Sequence, residues 1–135
     1  MVEASASCSS DPLRVLYVED DRISALLFSE ALRDQAGLAL RVAEDGAQAL
    51  AVATQWSPQV LVLDAHLPDT RGHALLACLR QLPGLAQVPA FMCSADGGEQ
   101  DIAQALAAGF QGYWVKPVAT DELRSALLRL RSGLT

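Results

Sequence analysis

The chain has 135 residues, of which 51% are hydrophobic and 19% are charged. This length suits a single domain with a sizeable core, and the balance of residue types excludes an intrinsically disordered chain. A formal net charge of −6 argues against a general nucleic-acid surface, and no apolar stretch approaches the roughly 20 residues that span a bilayer.

Residues 1–10 are rich in Ser and Ala and lack the basic start and apolar core of a signal peptide. We therefore expect a disordered tail over 1–10 and one domain over 11–133. The cysteines, Cys8, Cys78 and Cys93, have no paired spacing and predict neither a disulfide framework nor a zinc site. Unpaired cysteines are typical of a reducing compartment, so we expect a cytoplasmic protein.

Apolar runs alternate with helical patterns along the chain. The runs that predict strands cover 14–18, 39–43, 60–63, 88–93 and 112–115. The helical patterns cover 22–35, which Asp21 can cap, 46–55, 73–81, 99–108 and a fifth segment capped by Thr120. Strands that alternate with helices in this way lie parallel and are joined by right-handed crossovers. The sequence thus predicts an α/β fold, a three-layer α/β/α sandwich around a five-stranded parallel sheet, without setting the strand order.

Four of the predicted strands end in polar side chains. Glu19 and Asp20 follow the first strand, Asp64 the third, Ser94 the fourth and Lys116 the fifth. The carboxyl ends of parallel strands meet at one edge of the sheet, where ligands bind in open α/β folds. Three carboxylates there would repel one another without a cation, and hard oxygen ligands suit Mg²⁺. An amine and a hydroxyl can hold a phosphoryl group beside that metal, so the pattern predicts an aspartyl phosphate with Asp64 as the nucleophile.

Each of these residues also has a simpler interpretation. Asp64 could accept hydrogen bonds from loop amides, Ser94 could be a helix N-cap, and Lys116 could be an ordinary turn residue. Asp21, next to the acidic pair, is better explained as the cap of the following helix. These simpler interpretations would have to hold together at several strand ends, which favours the phosphoacceptor site.

On these residues the chain resembles the receiver domain of bacterial two-component response regulators, of the chemotaxis-regulator type. The matching segments are VLYVEDD (15–21), LDAHLPDTRG (63–72), SA (94–95) and YWVKP (113–117), and the resemblance extends over residues 11–133. It implies the strand order 2-1-3-4-5. The chain departs from the commoner pattern of the family where Glu19 stands in place of Asp and Ser94 in place of Thr.

The resemblance implies a metal-dependent phosphoryl transfer. Asp64 would accept a phosphoryl group from the phosphohistidine of a sensor histidine kinase or a histidine phosphotransfer protein. The cofactor would be Mg²⁺, or Mn²⁺, and it would be held by Glu19, Asp20, Asp64 and the backbone carbonyl of His66.

The resemblance also implies how phosphorylation changes the molecule. Lys116 would pair with one phosphoryl oxygen, and Ser94 would move inward to hydrogen-bond another. Tyr113 would turn from outside to inside in response, and a cis peptide would precede Pro117. Asp96 would flank the path of the hydrolytic water and could either orient or repel it. The chain would take part in its own phosphorylation and dephosphorylation without being an enzyme for another substrate.

Two helices are candidates for partner binding. The first helix has more apolar residues than one core stripe needs, namely Ile23, Leu26, Leu27, Phe28, Ala31 and Leu32. This surplus could dock the helical bundle of a kinase, or it could belong to a wide core stripe. The fifth helix would place Arg124, Leu128 and Arg131 on its outer side, and the face of helix 4, strand 5 and helix 5 could form a homodimer. We expect no direct binding to nucleic acid or to membranes.

Other functions compete with the phosphoacceptor. A receiver-like docking module that is never phosphorylated would not need the complete set of acidic, hydroxyl and amine groups. A phosphatase of the haloacid dehalogenase class would need a second Asp two residues after Asp64, where this chain has His66. The receiver could be free-standing or part of a hybrid kinase or multidomain regulator, and the residues do not indicate the cognate kinase or the output.

Overall fold

The computed structural model describes residues 12–33, 37–95, 97–116 and 118–133. Strands and helices alternate through these residues. The strands are β1 (Leu13–Val18), β2 (Leu38–Ala43), β3 (Val60–Asp64), β4 (Ala90–Ser94) and β5 (Gly112–Val115). The helices are α1 (Arg22–Leu32), α2 (Gly46–Trp56), α3 (Gly72–Leu79), α4 (Glu99–Ala107) and α5 (Thr120–Gly133).

The five strands form one parallel sheet of order β2-β1-β3-β4-β5. This confirms both the predicted sheet and the strand order that the resemblance implied. Every residue of the central strand β3 is buried. Because helices cover both faces of the sheet, that strand is an uninterrupted apolar run and shows no alternation of apolar and polar residues.

Two apolar cores lie on the two faces of the sheet, which confirms the three-layer sandwich. In the first core, Val15 and Tyr17 of β1 pack with Phe28 of α1 and Leu123 of α5. In the second core, side chains of β1 and β3 pack against α2, α3 and α4, through Leu16, Leu63, Ala49, Leu75 and Ala105. Successive residues of a strand point to opposite faces, so β1 contributes to both cores in turn.

Several element ends differ from the prediction by a few residues. The helix α1 ends at Leu32, and residues 34–36, into which the prediction extended, lie outside the described residues. The strand β4 begins at Ala90 because the Val88 N–H donates to the Leu85 carbonyl in the preceding turn, 3.4 Å away. Thr120 is the first residue of α5 and therefore not its cap. The predicted tail over 1–10, Asp96 and Pro117 also lie outside the described residues.

The prediction that α5 places Arg124, Leu128 and Arg131 on its outer side was wrong for the two arginines. Arg124 Nε donates a hydrogen bond to the Ala31 carbonyl of α1, 2.7 Å away. Arg131 Nε lies 2.8 Å from the position that a Cβ on Gly37 would occupy. Both side chains therefore face α1 and the start of β2, because the neighbouring helix covers that side of α5 and helical spacing alone does not reveal a neighbour.

The apolar surplus of α1 is at the surface. Ile23, Leu26 and Leu27 are 69%, 60% and 59% exposed, whereas Phe28 and Leu32 are buried. The core stripe is thus narrow, and the exposed side chains leave an apolar patch available to a partner. No helix among the described residues combines the length and apolar character that crossing a bilayer requires.

Candidate functional site

Three carboxylates converge at the carboxyl edge of the sheet. The register pairs Val18 of β1 with Leu63 of β3, so the next residues, Glu19 and Asp64, lie side by side. One carboxylate oxygen each from Glu19, Asp20 and Asp64 lie within 4.8 Å of one another. Glu19 and Asp64 are buried and Asp20 is exposed, so the cluster is open to solvent on the Asp20 side. We call these residues the acidic cluster.

Lys116 supplies the positive charge beside the acidic cluster. It follows β5, and its N–H donates to the Ser94 carbonyl of β4 at 2.8 Å. Its long side chain reaches past β4, so that Nζ forms an ion pair with Glu19 Oε1 and lies 3.5 Å from Asp64 Oδ2. The amine is therefore within reach of an anion that is attached to Asp64.

The charges of the site are strongly coupled. Burial and the neighbouring Glu19 raise the pKa of Asp64 to about 6, against the opposing effect of Lys116. Burial also acts to raise the pKa of Glu19, but hydrogen bonds from Lys116, Asp64 and Tyr17 lower it below its ordinary value. For Lys116, burial acts to lower the pKa, and the Glu19 and Asp64 carboxylates raise it above its ordinary value. Lys116 and Glu19 thus form the ion pair at neutral pH, and Asp64 is the group whose charge is disfavoured without a cation.

Tyr17 is a site residue that the sequence reasoning missed. Its hydroxyl donates a buried hydrogen bond to Glu19 Oε1 at 2.8 Å. Burial raises the pKa of Tyr17 above its ordinary value, so the hydroxyl keeps its proton. The signal was present in the sequence, because residues two apart in a strand share a face and Tyr17 precedes Glu19 by two. In the predicted strand 14–18, Tyr17 counts only as an apolar residue.

The loop after Asp64 is a tight hairpin that holds the Asp64 carboxylate. The His66 N–H lies 3.4 Å from Asp64 Oδ1, to which it donates, and His66 pairs with Arg71 in an antiparallel bridge. The Arg71 guanidinium lies 3.1 Å from His66 Nδ1, so the imidazole faces Arg71. A Cβ on Gly72 would lie 2.5 Å from the Asp64 carbonyl oxygen. Only glycine fits at that position without displacing the strand end.

The same loop is attached to the start of α2. The Asp69 carboxylate accepts hydrogen bonds from the Gly46 N–H at 2.8 Å and from the Ala47 N–H at 3.1 Å. These bonds lower the pKa of Asp69. Asp45 caps the same helix by accepting from the Gln48 N–H at 2.8 Å. The sequence reasoning gave Asp69 no role, because nothing local to it reveals a helix end more than twenty residues away.

The two predicted switch residues border one cavity. Ser94, the last residue of β4, is buried, and Tyr113 of β5 is half-buried. Both line a cavity of about 350 Å³ that lies beside the hairpin residues His66 and Arg71. The hydroxyl and the aromatic ring are therefore neighbours of the same space, next to the carboxyl edge of the sheet.

These residues have the donor set for phosphoryl chemistry with a divalent cation. The acidic cluster offers the hard oxygen ligands that Mg²⁺ prefers. Asp64 has a second carboxylate oxygen, which has the chemistry of a nucleophile, and Lys116 offers donors to the oxygens of a bound anion. Among the described residues, His66 contributes no imidazole nitrogen to the acidic cluster.

Known proteins are similar to this chain in sequence. The response regulator receiver domain family matches residues 15–128. "Probable transcriptional regulatory protein TcrX" of Mycobacterium tuberculosis is 38% identical over 127 residues, which cover 92% of this chain and 53% of that protein. The sensor histidine kinase AruS of Pseudomonas aeruginosa is 37% identical over 123 residues, or 90% of this chain and 12% of the kinase. The chain thus spans about half the length of the first of these relatives and a small part of the second.

A solved structure agrees with the sequence comparisons. The chemotaxis response regulator CheY4 of Vibrio cholerae superposes with a TM-score of 0.79 at 27% identity, covering 88% of this chain and 98% of CheY4. Since the family matches most of the chain and the fold, strand order and acidic edge agree with it, the chain belongs to the response regulator receiver domain family.

Proposed function

We propose that this receiver domain is a switch that accepts a phosphoryl group on Asp64 from the phosphohistidine of a sensor histidine kinase or a histidine phosphotransfer protein. The observation that carries the proposal is the convergence of the acidic cluster and the Lys116 amine at one edge of the sheet. The domain would extend over 11–133, and residues 1–10 would be a tail outside it.

The proposed cofactor is Mg²⁺ or Mn²⁺, which the donor set of this edge fits. Glu19, Asp20 and Asp64 would hold it with carboxylate oxygens, together with the backbone carbonyl of His66. When bound, the metal would neutralise negative charge on the transferring phosphoryl group. It would also offset the burial and the repulsion from Glu19 that together raise the pKa of Asp64, because the two buried carboxylates would then share a cation.

The residues of the chain then have distinct parts in the transfer. An Asp64 oxygen forms the new bond to phosphorus as the bond from phosphorus to the donor imidazole breaks, and the imidazole keeps the electron pair. The hairpin holds Asp64 through the His66 N–H. Lys116 leaves its ion pair with Glu19 and pairs with a phosphoryl oxygen, which its position 3.5 Å from Asp64 Oδ2 allows.

Phosphorylation of Asp64 would change the conformation of Ser94 and Tyr113. The Ser94 hydroxyl would bond a phosphoryl oxygen, and the ring of Tyr113 would turn into the cavity that both residues line.

The exposed apolar patch of α1 is the proposed contact for the phosphoryl donor. The face of α4, β5 and α5, where Leu106 and Val115 are exposed, is the proposed contact for a homodimer. We propose a cytoplasmic location and no direct contact with nucleic acid.

Incubation of the protein with Mg²⁺ and acetyl phosphate tests the proposal. Intact-mass measurement should show the addition of one phosphoryl group, and hydroxylamine should remove it because an acyl phosphate is cleaved by this reagent. The Asp64→Asn variant should gain no phosphoryl group. Glu44→Gln is the matched control, because Glu44 follows β2 at the same edge of the sheet but lies outside the acidic cluster.

The other outcomes identify the competing functions. A parent protein that folds but gains no phosphoryl group, and that binds no beryllium fluoride with Mg²⁺, would be a docking module. Repeated hydrolysis of a small phosphate ester at many turnovers would make the chain a phosphatase. Phosphorylation that persists in Asp64→Asn would place the acceptor elsewhere.

A further inference from the structure

The hydroxyl of Tyr17 has no part in the transfer as described above, yet it contacts the acidic cluster directly. Glu19 is 1% exposed, and its Oε1 atom accepts from the Tyr17 hydroxyl at 2.8 Å and also pairs with Lys116. Its Oε2 atom accepts from the Asp21 N–H at 3.2 Å. Tyr17 and Lys116 thus share one carboxylate oxygen, and Tyr17 is the neutral donor of the two.

Tyr17 is itself held rigidly. The residue is 1% exposed, and its ring stacks on Phe28 of α1 with 3.8 Å between ring centroids and an interplanar angle of 21°. Tyr17 lies in β1, two residues before Glu19, which directly follows the strand, so the two side chains lie on the same side of the sheet and the hydroxyl reaches the carboxylate directly. A hydroxyl that is fixed in this way can orient a glutamate, which has one more rotatable bond than an aspartate.

Glu19 Oε1 loses one of its two donors when Lys116 moves away. In the proposed function, on which this inference rests, Lys116 leaves Glu19 to pair with the phosphoryl group. A buried carboxylate that loses a donor and gains no replacement is costly. We propose that Tyr17 is a positioning residue that keeps Glu19 Oε1 hydrogen-bonded and in place when Lys116 transfers to the phosphoryl group. Tyr17 thereby supports the longer Glu side chain in the cation site.

The Tyr17→Phe variant tests this role, because it keeps the ring and its stacking on Phe28 and removes only the hydroxyl. Calorimetry would measure the affinity for Mg²⁺ alone and then for beryllium fluoride in the presence of Mg²⁺. For Mg²⁺ alone we expect a loss of less than about twofold, since Lys116 still bonds Glu19. For beryllium fluoride we expect a loss of about fivefold to tenfold, the equivalent of one buried hydrogen bond.

Repeating the Tyr17→Phe change in a Glu19→Asp variant distinguishes a positioning role of Tyr17 from a general effect on the structure. In Glu19→Asp, the carboxylate is one methylene shorter and is withdrawn from the Tyr17 hydroxyl. Adding Tyr17→Phe to this background should change the beryllium fluoride affinity by less than about twofold, as expected when one residue acts through the other. Thr54→Val is the control for loss of a hydroxyl bond outside the site, because the Thr54 hydroxyl donates to the Leu50 carbonyl at 2.7 Å.

The results separate this inference from the proposed function. If the parent protein binds no beryllium fluoride, the proposed function fails. If the parent binds it and Tyr17→Phe binds it equally well, only the role of Tyr17 is overturned. An equal loss in the parent and Glu19→Asp backgrounds would also overturn it, since Tyr17 would then act independently of the Glu19 carboxylate.

Discussion

Burial and the neighbouring Glu19 raise the pKa of Asp64 to about 6, and Lys116 offsets only part of this shift. An aspartate in the unfolded chain has a pKa of about 3.9. The folded, metal-free protein therefore holds a proton on Asp64 that the unfolded chain releases between pH 4 and pH 6. Folding stability falls as the pH rises through this window, and the full cost of the charge is present above pH 6.

Replacement of Asp64 by Asn should consequently stabilise the metal-free protein at neutral pH. The difference in the pKa corresponds to about 2–3 kcal/mol in the free energy of unfolding above pH 6.5, and it should vanish near pH 4. Urea denaturation of parent and variant at several pH values, in the presence of a chelator, measures this difference in the free energy of unfolding. A variant that is no more stable than the parent at pH 7 would contradict the raised pKa of Asp64, which we attribute to its burial and to the neighbouring Glu19.

Gly72 is the second residue on which the geometry of the proposed nucleophile, Asp64, depends. A Cβ at this position would lie 2.5 Å from the Asp64 carbonyl oxygen, so Gly72→Ala must displace the end of β3 or the start of α3. We expect a loss of about 1–3 kcal/mol in the free energy of unfolding, together with slower phosphorylation by acetyl phosphate. Both effects have one cause, the displacement of Asp64.

Gly98→Ala is the matched control for Gly72→Ala. Gly98 directly precedes α4, whereas Gly72 is the first residue of α3. A Cβ on Gly98 would have Asp101 Oδ2 as its nearest neighbour at 3.4 Å, which is a tolerable contact. The control should lose less than about 1 kcal/mol of stability. Equal losses in the two variants would indicate that glycine is needed for the helix start and not for the contact with Asp64.

At the scale of the elements, the start of α3 is less well capped than the starts of α1 and α2. Asp21 caps α1 by accepting from the Ser24 N–H, and Asp45 caps α2 by accepting from the Gln48 N–H. Arg71 occupies the same position before α3 and makes no side-chain cap bond. Its positive charge also opposes the helix dipole, which favours anions at this end.

Replacement of Arg71 by Ser should therefore stabilise the protein. A serine hydroxyl can accept a hydrogen bond from the first turn of α3, and the unfavourable charge is removed, so we expect a gain of about 0.5–1 kcal/mol. Urea denaturation in the presence of a chelator measures the gain. Lower stability in Arg71→Ser would mean that the contact between Arg71 and His66 stabilises the hairpin more than a cap would stabilise the helix.

The elements also show where sequence reasoning succeeds. The apolar run before Asp64 predicted a strand buried on both faces, and parallel strands bring their carboxyl ends together, so the convergence of Glu19, Asp20 and Asp64 was predictable. The neighbour that a side chain on a helix contacts was not predictable from the sequence. Arg124 was assigned to the surface, but it bonds the Ala31 carbonyl of α1, because a helical repeat defines faces without saying which neighbour covers each face.

Contacts between distant segments were equally invisible in the sequence. Asp69 accepts from the first amides of α2, although the two segments are far apart along the chain. The hydrogen bond from Tyr17 to Glu19 was predictable from the sequence, because side chains two residues apart at the end of a strand lie on the same side of the sheet. A strand residue that is both aromatic and polar, two positions before a buried acid, is a signal that can be sought in other sequences.

At the scale of the whole molecule, the site lies at the carboxyl edge of the sheet, between the helices that cover its two faces. Helices α1 and α5 cover one face, and α2, α3 and α4 cover the other. The two buried carboxylates at the carboxyl edge, Glu19 and Asp64, lie at the ends of β1 and β3, whose residues are almost all buried. Any ligand that relieves the repulsion among those charges should stabilise the whole fold, since it binds only the folded chain.

Binding of Mg²⁺ should accordingly raise the thermal stability of the protein. At a Mg²⁺ concentration of about 100 times the dissociation constant, linkage predicts a gain of about 2.7 kcal/mol, which for a domain of this size is roughly 8–10 °C in Tm. Thermal unfolding followed by circular dichroism, with NaCl added to keep the ionic strength constant, measures the shift. Asp20→Asn should lose most of it, because Asp20 contributes one of the three carboxylates, whereas Glu44→Gln should retain it. If all three proteins shift equally, the cation acts on the general negative charge of −6 and not on the acidic cluster.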